Sequence, residues 1–201
     1  MYAFEYSEER LVRVTLGELV DLLPGYSERR KSVGPAALRI VMGRDVDANR
    51  TIRWALLGNC ERSSASERAL LRDGDLLLTT RSADPQVLEI TSPPADAVAG
   101  APFAILRCKQ GAEGRVDARY LSWALSAEGA RERLRQLVRG SSMPFLAVAD
   151  LAMFEVALPS IDRQRLIVRI HALRRRATEL SQRLDRSLEQ LLEAAVGLPA
   201  S

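Results

Sequence analysis

The chain has 201 residues, 47% of them hydrophobic and 27% charged, with a formal net charge of +3; that fits one domain plus an appendage, or two small domains with a real core. No apolar run approaches a membrane span of about 20 residues, and the N-terminus MYAFEYSEER is charged throughout and has no apolar signal core. The two cysteines, Cys60 and Cys108, stand outside any CxxC or Cys/His spacing, so neither zinc nor a disulfide scaffold is expected, and the expected setting is cytoplasmic and reduced with no cofactor.

In chain order, Arg10 to Thr15 suggests a strand, and Leu16 to Leu23 a short helix with Thr15 and Glu18 spaced as a capping box. Pro24-Gly25 stops that helix. Strand-like runs follow at Ala37 to Met42 and Ile52 to Leu57, separated by a polar turn around Asp47 to Asn49, and Ser63 to Ser66 reads as a loop. Leu70 to Thr79 is the sharpest local signal, an Asp-Gly turn feeding an apolar strand. Val87 to Ile90 and Pro102 to Cys108 read as further strands, divided by a Pro/Ala-rich loop from Ser92 to Gly100. Asp117 to Ser126 and Glu128 to Val138 read as helices split at Gly129. Arg139 to Pro144 is a polar loop, and Leu151 to Leu158 a last strand.

The strongest organising element is the final stretch, Ser160 to Ala195, one long amphipathic helix. Leu166, Ile170, Leu173, Ala177, Leu180 and Leu184 alternate four- and three-residue steps, the spacing of a coiled-coil seam. One step of four then carries the stripe to Leu188, Leu191 and Ala195. Ser160 is placed to cap the start, and Gly197 and Pro199 to close the end. At 1.5 Å per residue such a helix is roughly 50 Å long, more than a domain of modest size can cover. The Leu-rich stripe therefore needs a partner helix, and Leu173, Leu180, Leu184, Leu188 and Leu191 are the expected dimerisation residues. Arg163, Arg165 and Arg169 lie in the first turns, where the helix dipole disfavours positive charge, which points to an outside partner that is either phosphate or an acidic protein surface.

Charge is uneven along the chain. Residues 1–100 carry 13 basic and 15 acidic side chains, and residues 101–201 carry 16 and 11. Between Arg29 and Arg53 seven basic residues (Arg29, Arg30, Lys31, Arg39, Arg44, Arg50, Arg53) face only Asp45 and Asp47, a candidate phosphate-binding surface. Of the 29 basic residues 27 are arginine, the residue suited to bidentate recognition of phosphates and guanine edges. A GC-rich genome gives the same bias, so composition alone does not decide.

The catalytic inventory is nearly empty. His171, the only histidine, sits among arginines in the long helix, there is no Gly-rich phosphate loop, and Ser92-Pro-Pro-Ala95 lacks the amide and the aromatic of an amino-methyltransferase tetrapeptide. A nuclease-type Asp followed by Glu-x-Lys is also missing, since Ile90-Thr91 follows Glu89. These residues describe a binding protein, not an enzyme, and no metal site.

The succession of signals resembles a family. Gly74-Asp-Leu-Leu-Leu78 lies in a strand-rich region, and Ile105-Leu-Arg107 ends a later strand. Asp117-Ala-Arg-Tyr-Leu121 opens a helix, Gly140-Ser-Ser-Met143 fills a loop, and Leu158-Pro-Ser-Ile-Asp-Arg-Gln164 leads into the Leu-seamed helix. That order is similar to the specificity subunit of type I restriction–modification enzymes, with one recognition domain and one spacer helix where the usual member has two of each. The resemblance implies an α+β fold, a target-recognition domain over residues 1–156 that reads double-stranded DNA, and a spacer and dimerisation helix over 157–201. It also implies partnership with a DNA methyltransferase (modification) subunit and a restriction/translocase subunit, and a homodimer reading an interrupted palindrome. The loop residues available to DNA are Arg29, Arg30, Lys31, Arg44, Arg50, Arg53, Arg81, Arg139, Ser141 and Ser142. Two other classes compete: a non-catalytic coiled-coil adaptor in a related phage-defence complex, and an enzyme with an unfamiliar site.

Overall fold

A computed structural model describes residues 11–27, 37–47, 50–112 and 114–196. The strands are β1 (Val12–Thr15), β2 (Val20–Pro24), β3 (Leu38–Val41), β4 (Gly58–Cys60), β5 (Leu76–Thr79), β6 (Val87–Glu89), β7 (Ala97–Ala99), β8 (Phe103–Cys108) and β9 (Glu155–Leu158). The helices are α1 (Leu16–Leu19), α2 (Ser64–Arg68), α3 (Ala118–Ser126), α4 (Glu128–Leu137), α5 (Val148–Ala152) and α6 (Ile161–Val196). The fold is α+β, as the sequence implies.

The centre is an antiparallel sheet in the order β2-β8-β5-β6. Its inner strands β5 and β8 are largely apolar on both faces, which is why they read as continuous runs. Leu76, Leu78, Ala104 and Leu106 turn to one side and join Leu16, Leu19, Leu121, Leu125, Leu134 and Leu151 from the helices. Leu77, Leu88, Phe103 and Ile105 turn to the other and pack against Leu38, Ile40, Val98 and Ala99. That second layer is a three-stranded sheet, β4-β3-β7, in which β3 and β7 run parallel. The ribbon β1-β9 carries the chain to Pro159 and into α6.

Local chemistry explains several elements. Gly74 turns at φ +81°, the left-handed region glycine favours, and the buried strand β5 follows as expected. Thr15 donates both its backbone N–H and its hydroxyl to the Glu18 carboxylate, at 3.2 and 2.8 Å, and these hydrogen bonds hold that carboxyl below its ordinary range. The helix so started ends at Leu19, however, because Val20–Pro24 is taken up as the edge strand beside β8. Ile52 to Leu57 is not a strand. Ile52 only bridges Val46, residues Trp54–Leu56 form a 3-10 turn, and the strand is Gly58–Cys60, whose partner is β3.

Ser63 to Ser66 is not a loop but the cap and start of α2. Ser66 N–H donates to Ser63 Oγ (3.2 Å) and Ser63 N–H donates to Ser66 Oγ (2.7 Å), a capping box with serine where Glu or Gln is usual. The Pro/Ala-rich stretch holds β7, three small residues buried in parallel pairing with β3. The α3–α4 break falls at Ala127, whose backbone is extended (φ −63°, ψ 141°), two residues before Gly129. Leu151 to Leu158 divides into the end of α5, a turn at Met153 and β9.

Candidate nucleic-acid interface

The strands converge at one end of the central sheet. Pro24 of β2 pairs with Ala104, and Thr79 of β5 pairs with Phe103, the first residue of β8. Gly25 N–H donates to the Phe103 carbonyl, Tyr26 N–H to that of Ala99, and Gly100 N–H to that of Val41. The approach is close enough that a Cβ on Gly25 would run into the Gly100 carbonyl, and one on Gly100 into Met42. Only glycine fits at either position.

This end gathers the segments that the sequence singles out. The excursion from Met42 to Leu57 leaves the end of β3 and returns through β4, whose Gly58 pairs with Ile40. The loop 80–86 joins β5 to β6, and the loop 139–146 docks on it through Leu146 N–H to the Thr80 carbonyl, 2.7 Å. Three segments distant in sequence thus gather at one end of the sheet.

Arg44, Arg50 and Arg53 are all exposed on the first excursion. The Arg44 side chain is 73% exposed and stands 4.0 Å from Asp45, while Arg53 donates to the Arg44 carbonyl and so fixes the turn between them. Arg50 adopts φ +61°, and the turn around it is closed by Asp47, whose carboxylate accepts Thr51 N–H at 2.9 Å. Arg81 is exposed on the loop 80–86. Arg139, Ser141 and Ser142 are exposed on the third segment, with Arg139 resting 2.7 Å from Asp150. Arg29, Arg30 and Lys31 lie outside the described residues. Arg39 does not belong to the surface, because its guanidinium is spent on Asp96, just before the neighbouring strand β7. That bond holds the Asp96 carboxyl below its ordinary range.

Two side chains here escape a reading of the sequence. Met143 is 82% exposed and Phe145 47% exposed on the same loop as Ser141 and Ser142, and apolar groups of this kind can meet a thymine methyl. The available signal is two large apolar residues inside an otherwise polar loop. The surface is held firmly from behind. Asp84 of the loop 80–86 binds Arg131 and Arg135 of α4 at 2.6 and 2.9 Å. Burial raises the Asp84 carboxyl, but the hydrogen bonds from Arg135 and Arg131 outweigh it and leave the group below its ordinary range.

The opposite end of the sheet has a different character. Asp75, 1% exposed, takes Arg107 through two hydrogen bonds of 2.8 and 2.7 Å and also accepts Arg72 N–H, while Arg107 reaches the Leu70 carbonyl. Arg72, Asp75, Glu89, Arg107, Arg119 and Arg165 line a mixed-charge cleft of about 470 Å³ there. The long helix springs from this end. Gln164 is fully buried; its amide donates to the Arg115 and Pro159 carbonyls and its oxygen accepts Asp117 N–H, all at 2.8–2.9 Å. The glutamine of the Leu-Pro-x-x-x-x-Gln entry is therefore the bolt of α6. From Arg169 onward every side chain described on the helix is exposed, including Leu173 at 67%, Leu180 at 56%, Leu184 at 60%, Leu188 at 49% and Leu191 at 66%. Among the described residues no group of His, Cys, Asp and Glu could hold a metal ion, and no helix is long and apolar enough to cross a membrane.

No protein-family model and no curated protein sequence matches the chain; the likeness to known proteins is carried by the fold. The S subunit of a type I restriction–modification system from M. genitalium superposes with a TM-score of 0.56 at 13% identity, over 92% of this chain and 45% of that one. The HsdS subunit from Thermoanaerobacter tengcongensis gives 0.63 at 19% identity, over 91% of this chain and 43% of that one. A structure describing complex assembly and conformational transition of a type I system gives 0.66 at 18% identity, over 96% and 46%. The chain has the fold of these specificity subunits and spans less than half the length of each.

Proposed function

We propose that this chain is a sequence-specific, double-stranded DNA-recognition component of a type I restriction–modification system. Residues 1–156 form its recognition domain and 157–201 its spacer helix. The observation that carries the reading is the sorting of the molecule into two ends. Exposed arginines and serines from separate loops share one end of the sheet, and an assembly helix leaves from the other. Phosphate contacts by Arg44, Arg50, Arg53, Arg81 and Arg139 would position the domain, and Ser141, Ser142 and neighbouring loop side chains would read base edges. The protein works without a catalytic centre of its own. Methylation and cleavage belong to a methyltransferase and a restriction/translocase subunit with which it assembles in the cytoplasm.

The exposed stripe on α6 pairs with the same stripe of a second copy. Burying a leucine side chain contributes roughly 1.5–3 kcal/mol, and a two-fold contact satisfies both stripes at once. Antiparallel pairing sets two recognition domains at the ends of a ruler, so the expected target is a palindrome interrupted by an unspecified spacer. Electrophoretic shift across a salt series tests the first half: log affinity falls linearly with log salt, and Arg44, Arg50, Arg53 and Arg81 changed together to Ala reduce the slope by about 0.9 for each phosphate no longer neutralised. An unchanged slope and affinity would remove this surface from consideration. Sedimentation tests the second: a monomer at tens of micromolar, with Leu180→Asp changing nothing, would end the dimer.

A further inference from the structure

The loop from Arg139 to Leu146 is closed at its neck and apolar at its tip. Arg139 N–H donates to the Phe145 carbonyl and Phe145 N–H to that of Arg139, both at 2.9 Å. Gly140 turns at φ +83°, and a Cβ there would lie 2.8 Å from the Met143 carbonyl oxygen, so the chain doubles back at a residue that only glycine fits. Pro144 fixes its own backbone φ. Behind the neck Leu146 is 3% exposed, and the Arg139 guanidinium is tied to Asp150 of α5. On this stiff frame Met143, Pro144 and Phe145 form an unbroken apolar run. Met143, at 82%, is the most exposed large apolar side chain among the described residues. The rim has the opposite character: Ser141 and Ser142 precede the run, and Arg81 stands exposed on the loop 80–86 that Leu146 docks against.

We infer that Met143 is a wedge that enters a DNA duplex between two stacked base pairs and kinks it there. Three features favour a base step over other occupants. An apolar tip alone would suit a protein groove, but the hydroxyls and arginine around this one suit sugar and phosphate. A slender, unbranched side chain fits an opened base step, and proteins that bend DNA use methionine among their wedges. Unstacking costs free energy, so the backbone that carries a wedge must not yield, and the paired hydrogen bonds at the neck, Gly140 and Pro144 supply that stiffness. Contact with a thymine methyl at the groove edge would need none of it. The consequence is indirect readout: a flexible pyrimidine–purine step is favoured at the wedge although no side chain hydrogen-bonds a base edge there. The inference rests on the reading of this end of the sheet as the DNA-facing one, and adds to it how the duplex is deformed.

The test uses the full chain and three 30-base-pair duplexes of one sequence. One is fully paired, one carries a central T·T mismatch, and one is fully paired with uracil in place of every thymine. Affinity is read by fluorescence anisotropy, and bending by energy transfer between dyes at the duplex ends. Wild type is expected to bind the mismatched duplex about tenfold more tightly than the paired one, because the mismatch has already met part of the unstacking cost, and to bring its ends closer. Met143→Ala loses both the preference and the bend, while its salt slope stays that of wild type because no phosphate contact is removed. Met143→Leu keeps the preference, and the uracil duplex binds as its thymine counterpart does. Wild type without preference or bend, or Met143→Ala retaining them, overturns the wedge. So does a uracil duplex weakened by as much as Met143→Ala weakens the thymine one, since Met143 then reads a methyl group. If wild type binds none of the duplexes, the DNA-facing reading falls and the wedge with it; binding without preference strikes the wedge alone.

Discussion

Arginine has opposite fates at the two ends of this domain. At the helix end Arg107 is 17% exposed and locked to Asp75, itself 1% exposed. At the proposed recognition end the Arg44 side chain is 73% exposed, 4.0 Å from Asp45. The first kind is architecture: a charge taken from water is tolerable only when its partner and remaining donors are satisfied. The second kind is capacity, since an arginine with no close internal partner loses little when it meets a phosphate. In the proposed reading, the arginines open to a ligand are those the fold holds loosely, Arg44 among them.

The contrast can be broken experimentally, and the largest effect is expected at the buried pair. Asp75→Ala strands Arg107 and should destabilise the domain by about 3–5 kcal/mol in urea unfolding, whereas adding Arg107→Met should recover much of the loss. If the single change costs less than about 1 kcal/mol, the pair is not structural. Gln164→Ala leaves Asp117 N–H and the Arg115 and Pro159 carbonyls without their partner and should cost about 2–4 kcal/mol. Proteolysis at the root of α6 should accelerate with it, and a chain that keeps its stability would deny Gln164 its role.

Asp84 tests the middle of the scale. Its folded carboxyl sits below the ordinary value, so its contribution is complete above about pH 4 and is lost as pH falls through the lower folded value. Asp84→Asn should flatten that acid limb of a stability–pH curve while changing stability at pH 7 by less than about 1 kcal/mol, as befits a carboxylate with a 43% exposed side chain. The smallest effect belongs to the exposed arginines. Arg44, Arg50 and Arg53 changed to Ala should each shift stability by no more than about 0.5 kcal/mol, and a larger loss at Arg44 would mean that it too is architecture.

Much of this is legible in the chain. Heptad spacing from Leu166 to Leu184 foretells the long helix, because a repeat of that length reports its own periodicity. The Asp73-Gly74 turn and the apolar run behind it foretell β5 for the same local reason. The departures fall where a neighbour in space overrules a neighbour in sequence. Val20–Pro24 leaves its helix to pair with β8, and Ala97–Ala99 becomes a strand although alanine favours none, because β3 offers a parallel edge and the site is buried. The Ser63–Ser66 box is hard to see in sequence because serine does there what glutamate usually does.

The candidate surface divides in the same way. Sequence by itself determined that arginines and serines of the right kind stood in loops, that the leucines of the last helix were in excess of what one domain could cover, and that a glutamine followed the Leu-Pro entry. It did not determine that Arg39 and Arg107 were already taken, nor that segments around residues 44, 81 and 141 would share one end of the sheet. Those outcomes depend on which carboxylates and which strand ends become neighbours, and neighbourhood across tens of residues is fixed only when the sheet closes. Periodicity is a property of the chain. Pairing is a property of the fold.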